Sequence, residues 1–242
     1  MTPPQPKVIV RPGGRTQRAP QAIHRTQAEQ MRFDDLGNDN LQLSTTLFIS
    51  LYQVKDVSGF PLNDWLNNAE SVLRAHGMKL DIEPANKQPR VLDYNGGKIN
   101  DQNQANEIRQ SASRAFDDHA NPLRCPVIFC LLSQQVLQDA VGLTFADHAR
   151  TDLTFMMPDG TTWLPFCLVD AAAGNAFAST VIHEMGHAAG LEHANSGGDS
   201  QNIMHPVGGS QQARSKLNGV EVRAYASAYF ARPRIAPPYK LF

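Results

Sequence analysis

Three histidines and one glycine between residues 183 and 193 constrain this 242-residue chain more than any other segment does. His183 and His187 are four residues apart, so on a helix their side chains project from one face with Cβ atoms about 6 Å apart. Gly190 has no Cβ and can adopt a positive φ, which would end the helix and turn the chain sharply. We therefore expect His193 to return toward the other two histidines, because a continued helix would carry it away.

This arrangement predicts a catalytic metal site. His183 and His187 could reach one ion at the usual Zn–N distance of about 2.0–2.1 Å, with His193 as the third ligand. Three nitrogen ligands leave one coordination position for water, which is typical of catalytic rather than structural zinc. Glu184 is displaced around the helix by about 100° from the first ligand, so it lies close to the ion without binding it. That position suits a general base acting on water.

The segment His183–His193 reads HEMGHAAGLEH and resembles the HExxHxxGxxH zinc motif of the metzincin metallopeptidases. A chance match at its five fixed positions in a chain of this length is on the order of 10⁻⁵. The family also carries a methionine in a tight turn beneath the zinc ligands, and Met204 resembles the methionine of that Met-turn. Pro206 is similar to the matrixin pattern, in which no tyrosine ligand is expected. The resemblance is specific over about 175–207.

The resemblance implies a fold of the α/β (α+β) class with a twisted, mostly parallel five-stranded mixed sheet. A backing helix at 62–76 and an active-site helix at 175–189 would lie beneath this sheet. A small C-terminal subdomain would end in a helix at 219–230. An antiparallel edge strand near 152–157 would bind extended substrate by strand addition.

The resemblance also implies roles for individual residues. Gly190 and Met204 would support the site. Pro206, Val207 and Gly208 would wall the pocket for the side chain that follows the cleaved bond.

Independently of the resemblance, residue patterns predict the secondary-structure elements of the chain. Alternation predicts strands, and a continuous apolar run is suited to a strand buried on both faces. Asn218 and Glu221 have the spacing of a capping box at the start of the last helix. Elements without strict βαβ alternation favour an α+β or mixed-sheet α/β class. The strands are expected at 43–52, 80–82, 127–132, 141–145, 153–157 and 162–169, and a further helix at 104–116.

Charge is distributed unevenly, although the formal net charge is only −1. Residues 1–32 carry six basic side chains and one acidic one, and the last twelve residues carry three basic ones, so the body between them is acidic. We predict a disordered basic arm at 1–40, a catalytic domain at 41–232 and a Pro-rich tail at 233–242. The catalytic domain would divide into subdomains at 41–190 and 191–232.

Composition and the N-terminal sequence indicate where the protein is located and which partners it lacks. The near-neutral net charge argues against a nucleic-acid binder. The sequence contains no run of 18 apolar residues, so no transmembrane helix is predicted. The N-terminus lacks the apolar core of a signal peptide, which indicates a cytoplasmic protein or export by a signal-peptide-independent route. The three cysteines, Cys125, Cys130 and Cys167, are expected as buried small residues.

These observations favour a monomeric zinc-dependent endopeptidase that binds protein or peptide substrate in extended form. One catalytic Zn²⁺ is expected, and an accessory metal at Asp147 and His148 is left open. Two alternatives remain. The chain could be an exported effector or toxin protease whose basic arm guides delivery, or a non-catalytic zinc-containing module that binds peptides.

Overall fold

A computed structural model of the chain describes residues 45–94, 98–115, 124–133, 142–145, 155–156, 162–163, 165–173, 178–206 and 214–232. Several predictions concern residues outside these ranges. They are the arm at 1–40, the tail at 233–242, the pocket residues Val207 and Gly208, and the accessory pair Asp147 and His148.

Nine strands and four α-helices form the described part of the chain. The strands are β1 (Thr46–Val54), β2 (Lys79–Glu83), β3 (Arg90–Leu92), β4 (Cys125–Cys130), β5 (Gly142–Phe145), β6 (Phe155–Met156), β7 (Thr162–Trp163), β8 (Phe166–Asp170) and β9 (Ala231–Arg232). The helices are α1 (Leu62–Ala75), α2 (Gln102–Ala115), α3 (Thr180–Ala188) and α4 (Gly219–Ser227). The mixed α/β class is as predicted.

The sheet has a main path of five strands in the order β2-β1-β4-β8-β5. The first four strands are parallel, and β5 is antiparallel to β8. Two short strands also pair with β1, so the sheet has seven strands rather than the expected five: β3 is parallel to β1, and β9 is antiparallel to it. The strand pair β6–β7 is separate from this sheet.

The antiparallel edge strand lies earlier in the chain than predicted. It is β5, whereas the two described residues of the expected segment at 152–157 form β6, which pairs with β7. Short apolar runs look alike in sequence, so periodicity does not show which of them pairs with a given strand. The single strand expected at 162–169 is two strands, because Pro165 between them has no N–H to donate to a ladder.

The central strands are buried on both faces, as the apolar run at 127–132 indicates. Val127 and Phe129 of β4 face the side that carries α1, α3 and α4. Ile128 and Cys130 face the other side, which is covered by α2. Alternate residues of β4 therefore belong to two hydrophobic cores, one on each side of the sheet.

The helices match their predicted positions with shifts at their ends. Helix α1 buries the apolar face predicted for it, which consists of Trp65, Leu66, Ala69, Val72 and Leu73. Helix α3 begins at Thr180 rather than at residue 175, and α4 ends at Ser227 rather than at residue 230. The chain leaves α4 early because Ala231 and Arg232 pair with β1. None of the helices in the described ranges is long and apolar enough to span a membrane.

Candidate metal centre

Helix α3 carries two of the three histidines and ends in the glycine turn that the sequence predicts. Gly190 has φ +90°, in the left-handed region that favours glycine. The N–H of Leu191 donates to the carbonyl of Gly186, and the N–H of Gly190 donates to that of His187. This pair of hydrogen bonds is a Schellman motif, which ends the helix and reverses the chain. The reversal places His193 in a short 3₁₀ turn beside α3.

The structure brings the three predicted ligand residues together. The Nε2 atoms of His187 and His193 lie 3.1 Å and 3.2 Å from Nε2 of His183. One ligand atom from each of the three residues lies within 4.8 Å of the others. Three imidazole nitrogens gathered this closely could hold a metal ion.

Backbone carbonyls orient the two helical imidazoles. Nδ1 of His183 lies 2.6 Å from the carbonyl oxygen of Ile203, and Nδ1 of His187 lies 2.8 Å from that of Leu191. A carbonyl only accepts, so each Nδ1 carries the proton and donates it to that hydrogen bond. Each Nε2 is then left with a lone pair directed toward the other histidines, which is the tautomer a metal ligand needs.

Burial keeps the imidazoles of His183 and His193 neutral. His183 is 1% exposed, and burial is the main cause that lowers its pKa well below the ordinary value, with smaller contributions from His187, Arg214 and His193. Burial likewise lowers the pKa of His193 to about 4, helped by the positive charge of Arg214 and by His205. Neutral imidazoles bind metal ions without first losing a proton.

Glu184 lies on α3 next to the first histidine and is fully buried. Its negative charge acts on the guanidinium of Arg214, where it raises the pKa against the larger lowering caused by burial. A buried carboxylate beside a metal position is suited to accept and return a proton.

The turn that contains Met204 packs against the helix that carries His183 and His187. Met204 is fully buried, and its N–H donates to Oδ1 of Asn202 over 2.7 Å. Gly186 allows this packing, because a Cβ at that position would lie 2.4 Å from Sδ of Met204. The preceding carbonyl, that of Ile203, is the one that orients His183. The turn therefore supports the site through both a side chain and its backbone.

Arg214 is a residue of the site that sequence reasoning missed. It is only 4% exposed, and burial lowers its pKa to about 10, so it is positively charged at neutral pH. Its Nε donates to Oγ of Ser179 over 3.0 Å, and its Nη1 donates to the carbonyl of His205. Nη1 also lies 3.0 Å from Nδ1 of His183. No sequence signal marks this arginine, because its neighbours are distant along the chain.

Helix α4 contacts both α3 and the turn before Met204. The Tyr225 hydroxyl donates to the carbonyl of Ile182 in α3. Glu221 accepts from Nδ2 of Asn202 over 2.8 Å and from the N–H of Asn218 over 2.7 Å. The capping box predicted at Asn218 and Glu221 is confirmed, and the same carboxylate also contacts Asn202 in the turn before Met204.

Pro206 is the one residue of the predicted substrate pocket that the structure describes. It is half-buried and directly follows His205, whose carbonyl contacts Arg214.

The chain matches no model of a known protein family, and no curated protein matches it either. The geometry of the three histidines and their neighbours is therefore the basis for assigning a function.

Proposed function

We propose that this chain is a zinc-dependent endopeptidase that hydrolyses peptide bonds in proteins, with a fold related to that of the metzincins. One observation carries the proposal. The Nε2 atoms of His187 and His193 lie within 3.2 Å of His183 Nε2, and the buried carboxylate of Glu184 follows His183 on α3. A structural zinc site would not need a buried carboxylate that is not itself a ligand.

His183, His187 and His193 would hold the zinc ion. Zinc bound tetrahedrally by imidazoles at about 2.0–2.1 Å separates neighbouring nitrogens by roughly 3.3–3.4 Å. The observed separations of 3.1 Å and 3.2 Å fit that geometry closely. When bound, zinc supplies Lewis acidity toward the scissile carbonyl and lowers the pKa of water toward about 7.

The chain's own residues supply the remaining steps. Glu184 accepts a proton from the attacking water and passes it to the leaving amine. The carbonyls of Ile203 and Leu191 hold the imidazoles in position throughout. Extended substrate would lie along the outer edge of β5, because β5 ends the main path of the sheet and, among the described strands, pairs only with β8.

The test is digestion of casein by the full chain with added zinc, with and without a chelator. Glu184→Gln should bind one zinc ion per chain, measured by mass spectrometry of the metal, and should lose about 10² to 10⁴ of the activity. His187→Ala should lose both zinc and activity. Glu107→Gln, an exposed carboxylate on the far side of the sheet, is the matched control and should change neither.

Two results would overturn the proposal. One is full activity in Glu184→Gln, and the other is activity that neither zinc nor a chelator changes. Peptide binding without hydrolysis by the unmodified chain would instead favour a non-catalytic binding module.

A further inference from the structure

The capping box of α4 joins two segments that lead to the candidate metal centre. Its carboxylate, that of Glu221, is fully buried. Oε2 of Glu221 accepts two hydrogen bonds, one from Nδ2 of Asn202 over 2.8 Å and one from the N–H of Asn218 over 2.7 Å. Oε1 makes no hydrogen bond within the described ranges. A single carboxylate oxygen therefore connects the turn before Met204 with the start of α4.

The first link leads from Glu221 to His183. Oδ1 of Asn202 accepts from the N–H of Met204 over 2.7 Å. That N–H belongs to the same planar peptide group as the carbonyl of Ile203, so the hydrogen bond also fixes the direction of the carbonyl. The carbonyl in turn accepts from Nδ1 of His183 over 2.6 Å. A displacement of Asn202 would therefore reach the His183 imidazole through one rigid peptide group.

The second link leads from Asn218 to the turn that carries His193. Nδ2 of Asn218 donates to the carbonyl of Asn195 over 2.8 Å. Asn195 lies in the same 3₁₀ turn as His193, and its Oδ1 accepts from the N–H of Glu192 over 2.7 Å. Residues on both sides of His193 are therefore tied to the Asn218 side chain, which also caps α4.

A metal site needs each ligand's lone pair to point at one position, and hydrogen-bonded groups behind the ligands set that direction. His187 is supported locally, because its Nδ1 donates to the carbonyl of Leu191 just after α3. His183 and His193 belong to different segments, so their relative position depends on a group that contacts the surroundings of both. The capping box of α4 makes those contacts.

We propose that Asn202, Asn218 and Glu221 are positioning residues of the metal centre, which hold His183 and His193 in the arrangement that binds one ion. None of the three positioning residues would contact the ion itself. The inference rests on the proposed function only in assuming that the histidines bind zinc, so it can hold or fail separately from peptide hydrolysis.

One variant breaks each link. Asn202→Ala removes the first, and Asn218→Ser removes the second but keeps the cap, because serine caps a helix as well as asparagine does. The shorter serine side chain has no amide group to donate to the carbonyl of Asn195. Loss of a hydrogen-bonded partner behind a metal-binding histidine typically lowers metal affinity about 10- to 100-fold. These links act through one further group, so we expect about tenfold for each.

The experiment measures the zinc dissociation constant of the full chain by competition with a chromophoric chelator. The visible spectrum of the cobalt-substituted chain reports the geometry of the ligands. Asn202→Ala and Asn218→Ser should each bind zinc about tenfold more weakly and change the cobalt spectrum. Glu221→Met removes the acceptor of both links and should lose at least as much. Glu221→Gln keeps an oxygen acceptor in the same shape and should stay within about threefold of the unmodified chain.

Tyr229→Phe is the matched control for a general loss of stability. The Tyr229 hydroxyl donates to the carbonyl of Pro165 over 2.6 Å, so this variant removes a buried hydrogen bond that does not lead to the histidines. Urea unfolding measures the stability of every metal-free variant. The control should bind zinc within about twofold of the unmodified chain. Unchanged zinc affinity in both link variants, or an equal loss in a control of equal stability, would overturn the inference.

Nitrogen NMR of the histidines tests the first link without metal. His183 should be a single tautomer with its proton on Nδ1, and Asn202→Ala should give a mixture of both tautomers. An unchanged single tautomer in that variant would overturn the first link. Weaker zinc binding by the variants without digestion of casein by the unmodified chain would refute the peptidase and support the positioning residues. Digestion with unchanged zinc affinity in the variants would refute only the positioning residues, and a chain that binds no zinc would refute both.

Discussion

Replacement of Gly186 by alanine tests how the turn at Met204 and α4 hold the candidate metal centre. A Cβ at this position would lie 2.4 Å from Sδ of Met204 and 2.9 Å from the hydroxyl oxygen of Tyr225. Both neighbours are fully buried, and the hydroxyl donates to the carbonyl of Ile182. Neither atom can retreat without disturbing the packing beneath the histidines.

Local and tertiary effects of this substitution have opposite signs. Helix propensity alone makes alanine more favourable than glycine in a helix interior by about 0.8–1.0 kcal/mol. Overpacking a buried site is unfavourable by about 1–3 kcal/mol. Two contacts with restrained atoms place Gly186→Ala at the upper end of that range, so we expect a net loss of about 2 kcal/mol of the free energy of unfolding.

Urea unfolding followed by circular dichroism measures this loss in the metal-free protein. A double-mutant cycle with Met204→Ala identifies its cause, because removal of the sulfur should reduce the penalty of Gly186→Ala by at least about 1 kcal/mol. The reasoning would be refuted if Gly186→Ala alone were as stable as the unmodified chain. An equal penalty in both backgrounds would show that Met204 is not the source.

Three other predictions concern the same region. Burial raises the pKa of Glu221 to about 7, so its contribution to stability is complete below about pH 4.5 and is lost as the pH rises through 7. Glu221→Gln should remove about 3 kcal/mol of this pH dependence in urea unfolding at pH 4 to 8, and an unchanged profile would contradict the assignment. Tyr225→Phe removes the hydrogen bond to Ile182 and should lower the free energy of unfolding by about 1 kcal/mol, measured at fixed pH. Zinc at 100 times its dissociation constant should stabilise the chain by about 2.7 kcal/mol in thermal unfolding, and His187→Ala should abolish this gain.

Features that depend on neighbours along the chain could be predicted from the sequence. The buried face of α1 follows from a spacing of three and four residues, and the capping box of α4 from the three-residue offset between Asn218 and Glu221. The turn after α3 follows from Gly190, because only glycine adopts its positive φ without strain. The convergence of the three histidines was expected for the same reason.

Sheet pairing and the surroundings of the site were decided by the tertiary structure. The antiparallel edge strand is β5 rather than the segment at 152–157, because pairing depends on which short run fits against β8. Arg214 contacts His183 across 31 residues of chain, and Tyr225 contacts Ile182 across 43. The sequence by itself determined which residues could bind a metal ion, through helical spacing and the conformational freedom of one glycine. Only the folded chain determined the charge and hydrogen bonds that surround those residues, because such contacts join segments with no local relation in sequence.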